Sequence, residues 1–241
     1  MSTVPMRTIQ RPFLTARWSN LAILTYEVPP PLLEPHLPAG LRLDTRDGRA
    51  FASLVAFDFV DTRVWGVTWP GARDFPEINL RFYVTDGARR GVVFVRELVP
   101  KPLVSWLARA LYHEPYLVAP IESRVDEGAS EVLAERRLLW RGRHHRVEVN
   151  GHKPATRPAE DSDEHFFKEH HWGFGRTRRG HPIGYEVRHP VWDVYPVRSW
   201  SLDLDWAAVY GPAWGALAAE KPVSVMLAAG SPVSVFPRRR L

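Results

Sequence analysis

Two short stretches carry the residue types best suited to holding or transforming a small molecule. In FPEINLRFYV, residues 75–84, Glu77, Asn79, Arg81 and Tyr83 alternate with Ile78, Leu80, Phe82 and Val84. The period of two puts the polar set on one face of a strand. A carboxylate, an amide and a guanidinium in that order can orient a polar ligand, and the carboxylate can act as a general base. Glu77 and Arg81 lie four residues apart, roughly 13 Å between α-carbons, so backbone spacing alone gives no tight ion pair. On an open sheet this face is ordinary surface, which is the simpler reading of the pattern. If the sheet closes, the same face lines a cavity. The second stretch is ARALYHEPYLVAPI, residues 108–121, where a helix ends at Pro115 and an apolar run follows. The residue after the proline is Tyr116, a phenol rather than a nucleophile.

Other constellations are weaker. In HFFKEHH, His165 and Glu169 stand one helical turn apart, with His170 and His171 adjacent. Zinc needs two ligands on one helix face and a third from elsewhere. This spacing is one residue off H-x-x-E-H, so the set is incomplete and no metal is assigned. His189, before Pro190, reads as a structural turn residue. There is no G-x-S-x-G elbow and no Walker A loop. GFGRTRRG places four residues between its last two glycines, which fails the dinucleotide spacing, and no cofactor is expected.

Composition narrows the class further. The chain has 241 residues, a formal charge of +5 and no cysteine, which removes disulfides, thiolate nucleophiles and Cys-type zinc sites. Its arginine clusters (136–137, 143–146, 176–179 and 238–240) are short or interrupted by acids, and no nucleic-acid-reading motif accompanies them. That argues against a nucleic-acid partner. No apolar run is long enough to span a membrane. The opening MSTVPMRTIQRPF lacks the order of a signal peptide, so the default location is the cytoplasm.

The elements that would position these residues are mostly strands. LAILTYEV reads as a strand, and PPPLLEPHLPAG as a short helix between prolines. Residues 41–60 read as a hairpin about Asp47–Gly48. Residues 75–84 and 91–98 form a second hairpin about Asp86–Gly87. PKPLVSWLARALYHEP is predicted helical, with Leu103, Trp106, Leu107, Ala110 and Leu111 as its apolar stripe. Strands follow over 118–125, 131–140 and 143–149. A polar loop over 151–163 leads to a short helix capped by Ser162 or Asp163. Strands near 183–188 and 197–205, a helix over 212–220 and two final apolar runs complete the chain. No linker divides it, so residues 1–241 are expected to form one α+β, mainly antiparallel β domain. A homo-oligomeric state is compatible with the sequence.

The ordered set FPEINLRFYV, GVVFVREL, ARALYHEPY and EVRHPVWDVY resembles the YqjF-like family, a bacterial domain of unknown function, from about Trp18 to Phe236. KEHHWGFG is similar to that family's late helix, with His171 where an aromatic hydroxyl residue often sits. The family is similar in turn to the acetoacetate decarboxylase superfamily. That resemblance implies a curved sheet closing into a cone-shaped barrel around a small-molecule cavity. In the superfamily a lysine pair follows the proline, and one lysine forms a Schiff base with a keto acid. Here the Arg109–Pro115 spacing is kept, but Tyr116 and Leu117 stand in the pair's place. The lysines of the chain, Lys101, Lys153, Lys168 and Lys221, match neither position, and Lys101 and Lys221 at helix ends read as exposed. Schiff-base decarboxylation is therefore expected to be absent. The superfamily's cavity glutamate falls onto Glu77, while a second acidic position falls near Ser53 and leaves the acid pair incomplete.

Together these readings favour binding of a polar or carboxylate-bearing metabolite. Glu77, Asn79 and Arg81 would set the polarity, and Tyr116 would offer a hydroxyl from the opposite wall. The alternative is a lyase- or isomerase-type enzyme with Glu77 as base and Tyr116 or a histidine as acid. A basic-surface interaction module is the weaker third reading.

Overall fold

β-Branched and aromatic runs punctuated by Gly, Pro and Asp produce a chain of strands with few helices. The computed structural model describes residues 10–241; of the opening stretch read for a leader, residues 1–9 lie outside this range. In chain order the elements are β1 (Leu14–Glu27), α1 (Pro30–Leu33), β2 (Arg42–Leu43), β3 (Phe51–Val64), β4 (Phe75–Thr85) and β5 (Arg90–Val99). Then come α2 (Pro102–Leu111), β6 (Tyr116–Val118), β7 (Ile121–Glu127), β8 (Glu131–Trp140), β9 (Arg143–His152) and α3 (Asp163–Lys168). The chain finishes with β10 (Trp172–Arg176), β11 (Pro182–Arg188), β12 (Val194–Tyr195), β13 (Val197–Asp203), α4 (Trp206–Tyr210), β14 (Ser224–Val235) and β15 (Arg239–Arg240). The predicted helix over 212–220 is a 3-10 segment, Pro212–Ala219. No helix among the described residues is long and apolar enough to cross a membrane.

The main sheet closes on itself. Its path runs β14, β1, β3, β4, β5, β10, β11, and β11 returns to β14 through Val187–Val235 and Arg188–Ser234. Neighbours in this ring are antiparallel except β5 and β10, which are parallel, and β6 adds a short parallel strand to the far end of β5. A second antiparallel sheet, ordered β13-β9-β8-β7, packs against the outside. Ile78, Leu80, Phe82 and Val84 of β4 share one core with Val132, Ala134, Val147 and Val149 of that outer sheet and with Trp206 of α4. A separate core inside the ring gathers Ile23, Val55, Phe57, Tyr83, Phe167, Trp192 and Met226. Each large apolar side chain buried this way contributes about 1.5–3 kcal/mol. Both faces of β4 are thus covered, and its polar face looks inward.

Three sequence expectations change. The Asp47–Gly48 turn forms, with Arg46 and Arg49 exchanging backbone hydrogen bonds and both turn residues at positive φ. Its flanks do not form a hairpin, because β2 pairs with β4 while β3 lies between β1 and β4. The strand expected over 118–125 breaks at Pro120, which has no N–H to give a ladder; β6 belongs to the ring and β7 to the outer sheet. On α2 the inward face is set by Val104, Ser105, Leu107 and Ala108, while Trp106 is 64% exposed. The expected stripe was off by about one residue, or about 100° around the helix.

Candidate functional site

The inward face of β4 delivers the predicted polar residues to the ring interior. Glu77, Asn79 and Arg81 are 2%, 2% and 7% exposed, so the surface reading is corrected. Glu77 accepts from Asn79 Nδ2 at 2.8 Å and from the Tyr116 hydroxyl at 2.7 Å. Tyr116 therefore does not face Glu77 from an opposite wall. Its strand runs along β5, opposite Glu97, and the phenol reaches directly across to the carboxyl.

Two more carboxyls join this end. Asn79 pairs in register with Glu97 on β5, and Glu97 is 2% exposed. Strict alternation from Val92 and Phe94 would point Arg96 inward and Glu97 outward. A β-bulge at Val95 breaks the register: Leu80 faces Arg96, yet Arg81 faces Phe94. The extra residue reverses the phase, sending Glu97 inside and Arg96 out over the Trp140 ring. Glu114, 6% exposed, enters from the turn between α2 and β6, beside Tyr185 of β11. The Tyr185 ring lies over Gly173, its cross-strand neighbour, where a Cβ would sit 2.2 Å from the ring.

Burial dominates the electrostatics of this acidic end. It pushes Glu77 up to about 7 against the opposing hydrogen bonds of Asn79 and Tyr116. It pushes Glu114 up to about 8 despite Tyr185. Glu97 is raised well above the usual carboxylate range by burial and then by the nearby Glu114 and Glu77. Burial, with Glu77 and Glu97 nearby, also keeps the Tyr116 phenol protonated. Closely placed buried carboxyls cannot all ionise, so this end holds protons near neutral pH.

The other end is cationic. Arg81 Nη2 donates to the Phe167 carbonyl at 3.3 Å, its Nε has no partner, and no carboxylate of the described residues lies within ion-pair distance. The last residue of α3, Lys168, has a side chain with 0% exposure and is ion-paired to Glu169. Glu169 also accepts from the Trp192 backbone N–H at 3.2 Å. His170 stacks on Tyr83 at 4.8 Å, and both of its ring nitrogens lack partners. Burial, then the positive charge of Arg81, holds His170 well below the usual histidine range and keeps it neutral. His189, expected only to shape a turn, also lines the interior, stacked on Trp192 at 4.3 Å.

Local sequence explains how α3 arrives there. Ser162 is its N-cap, accepting from the His165 N–H at 3.1 Å. Phe166 and Phe167 bury into the ring core, which turns the following Lys168 inward. The Phe167 carbonyl also accepts from the Tyr83 hydroxyl at 3.1 Å. Tyr83 in turn bonds Ser53, and Ser53 bonds Thr25 at 2.7 Å. Ser53 is thus a link in a hydroxyl chain that docks α3. The further carboxyls of the interior come from Glu97 and Glu114.

Between the two ends lies a cavity of about 140 Å³ lined by Glu77, Asn79, Arg81, Glu97, Glu114, Tyr116, Lys168 and His170 together with aromatic and aliphatic side chains. Val104, Leu107 and Ala108 of α2 cover one side. Sequence reasoning found Glu77, Asn79, Arg81 and Tyr116, which come together here. It missed Glu97 and Glu114, considered His170 only within an incomplete metal set, and left the cavity without an amine, which Lys168 supplies. Lys221 is exposed as expected and Lys101 is half-buried. No three His, Cys, Asp or Glu side chains of the described residues group as metal ligands; Glu169, once set beside His165, is engaged by Lys168 and Trp192.

Comparison with known proteins agrees with this architecture. The model of the DUF2071 family, described as an uncharacterized conserved protein, matches residues 15–232. The uncharacterized protein YqjF of Bacillus subtilis (strain 168) is 26% identical over 178 residues, covering 73% of this chain and 72% of that protein. Acetoacetate decarboxylase from Legionella pneumophila superposes with a TM-score of 0.64 at 13% identity, covering 100% of this chain and 92% of the other. The enduracididine biosynthesis enzyme MppR, complexed with pyruvate, gives 0.64 at 15% identity over 98% of this chain and 93% of that one. At these identities the two structures speak for the fold alone.

Proposed function

The chain belongs to the DUF2071 family, and from its interior we propose that it binds a small carboxylate-bearing molecule within the ring. The observation that carries this reading is Arg81: a guanidinium 7% exposed, lining a cavity, with no carboxylate at ion-pair distance among the described residues and an unpartnered Nε. A buried charge is costly unless paired, and a carboxylate is the partner whose geometry a guanidinium fits best. His170 offers two further unpartnered nitrogens at the same end. The cavity is close in size to engineered voids of about 150 Å³ that admit a single benzene, so the ligand is small. A fold-mate, MppR, is complexed with pyruvate, a molecule of this size and charge. Thermal-shift and calorimetric titration with short monocarboxylates tests the reading: binding that Arg81→Met abolishes supports it, and equal affinity in that variant refutes it.

A second reading, acid–base catalysis of the lyase or isomerase kind, rests on Glu77, whose proton leaves near neutral pH while Tyr116 holds its carboxyl in place. Glu77→Gln separates the two readings. Loss of turnover with retained affinity favours the enzyme, and loss of affinity alone favours the binder. In neither reading does the Tyr116 position form an imine, since a phenol cannot.

A further inference from the structure

We infer that the ligand of this cavity is zwitterionic: it carries, besides the carboxylate held at Arg81, a protonated amine that docks at the Glu77–Glu97–Glu114 end. This rests on the reading that the cavity binds a carboxylate, and extends it to the opposite pole.

Three observations lead there. The first is charge balance. Lys168 is ion-paired to Glu169, so Arg81 remains as the cation facing Glu77, Glu97 and Glu114. Once a ligand carboxylate neutralises Arg81, the lining offers these carboxyls no cation, so any of them that ionises needs one from the ligand. The second is the kind of atom left unpartnered. At the acidic end the orphans are Asn79 Oδ1, Glu97 Oε2 and Glu114 Oε1. An amide oxygen and the unprotonated oxygen of a carboxyl group accept only, and an ammonium is three donors with no acceptor. The residues bearing these atoms are 2%, 2% and 6% exposed and line the cavity, so bulk water does not satisfy them. The third is that the carboxyls do not converge as metal ligands, which leaves an organic cation as the matching charge.

The groups around that pole come from several elements: Glu77 and Asn79 from β4, Glu97 from β5, Glu114 from the turn after α2, Tyr116 from β6 and Tyr185 from β11. Burial holds Glu97 and Glu114 protonated at pH 7 and leaves Glu77 partly so. An arriving ammonium favours the ionised form, so binding must release a proton to solvent.

Calorimetry on the full chain at pH 7 tests this with butyrate, 4-hydroxybutyrate and 4-aminobutyrate, each in buffers of low and high ionisation enthalpy. The expected result is that 4-aminobutyrate binds at least tenfold more tightly than butyrate and releases about one proton per bound molecule. Glu97→Gln and Glu114→Gln should each move the ratio of the two dissociation constants toward one. If 4-aminobutyrate is no tighter than butyrate, or 4-hydroxybutyrate matches it without proton release, the ammonium assignment is overturned while the carboxylate reading stands. If none of the three binds, the carboxylate reading falls and the inference with it.

Discussion

The Tyr116 hydroxyl donates to Glu77 Oε2 at 2.7 Å, joining a short parallel strand at the end of β5 to the inward face of β4. Both groups are buried, so the bond fixes which way the carboxyl points and which form it prefers. A donor to a carboxylate favours the ionised form, opposing the upward pull of burial.

Tyr116→Phe removes that donor and leaves a buried acceptor unpartnered. We expect a loss of about 1–3 kcal/mol in unfolding free energy. The loss should be greater at pH 8 than at pH 5, because only the ionised Glu77 depends fully on the phenol. Urea titrations at the two pH values measure it; an identical loss at both would show that the phenol does not govern Glu77 ionisation.

Stability should fall as pH rises from about 5 to about 8. Glu77 and Glu114 sit at about 7 and about 8 in the folded chain, above the roughly 4.3 of an unfolded glutamate. Carboxyls raised in this way contribute stability that is complete below the unfolded value and lost as pH climbs through the folded one. Thermal melts from pH 5 to pH 9 should show a midpoint that declines from pH 5 and levels off above about pH 8, and Glu114→Gln should flatten the decline. A midpoint that is level or rising across that range would contradict the assignment.

Lys168→Met strands Glu169 in the interior, since the pair's side chains are 0% and 5% exposed. Removing one partner of a buried pair costs about 3–5 kcal/mol. The double variant Lys168→Met with Glu169→Leu should recover most of that loss in chemical denaturation. Because the Lys168 amine is engaged by Glu169 and its side chain is 0% exposed, borohydride treatment with pyruvate should leave the protein mass unchanged. A reduced adduct on the peptide containing Lys168 would show a free amine and restore imine chemistry at a new position.

Much of the site's local grammar was legible in the sequence. The alternation from Glu77 to Tyr83 announced a strand with one polar face, and the Ser162 cap and the stop at Pro115 were readable from residue type. Resemblance, rather than pattern, indicated that the sheet closes. Glu97 stayed hidden because one bulged residue at Val95 inverts the phase on which any strand reading depends. Lys168 stayed hidden because its burial follows from Phe166 and Phe167 anchoring α3 inside the ring, contacts made with strands far away in sequence.

The sequence by itself determined most of the strands, the turn chemistry, the polar face of β4 and the phenol that follows Pro115. These depend on backbone preference and side-chain type within a few residues. Only the tertiary structure decided that this face looks inward, that Glu97 and Glu114 join Glu77, and that Arg81 has no carboxylate of the described residues at ion-pair distance. Ring closure between β11 and β14 carries polar groups from distant segments into one buried interior. There, solvation and charge pairing depend on neighbours that no local pattern names.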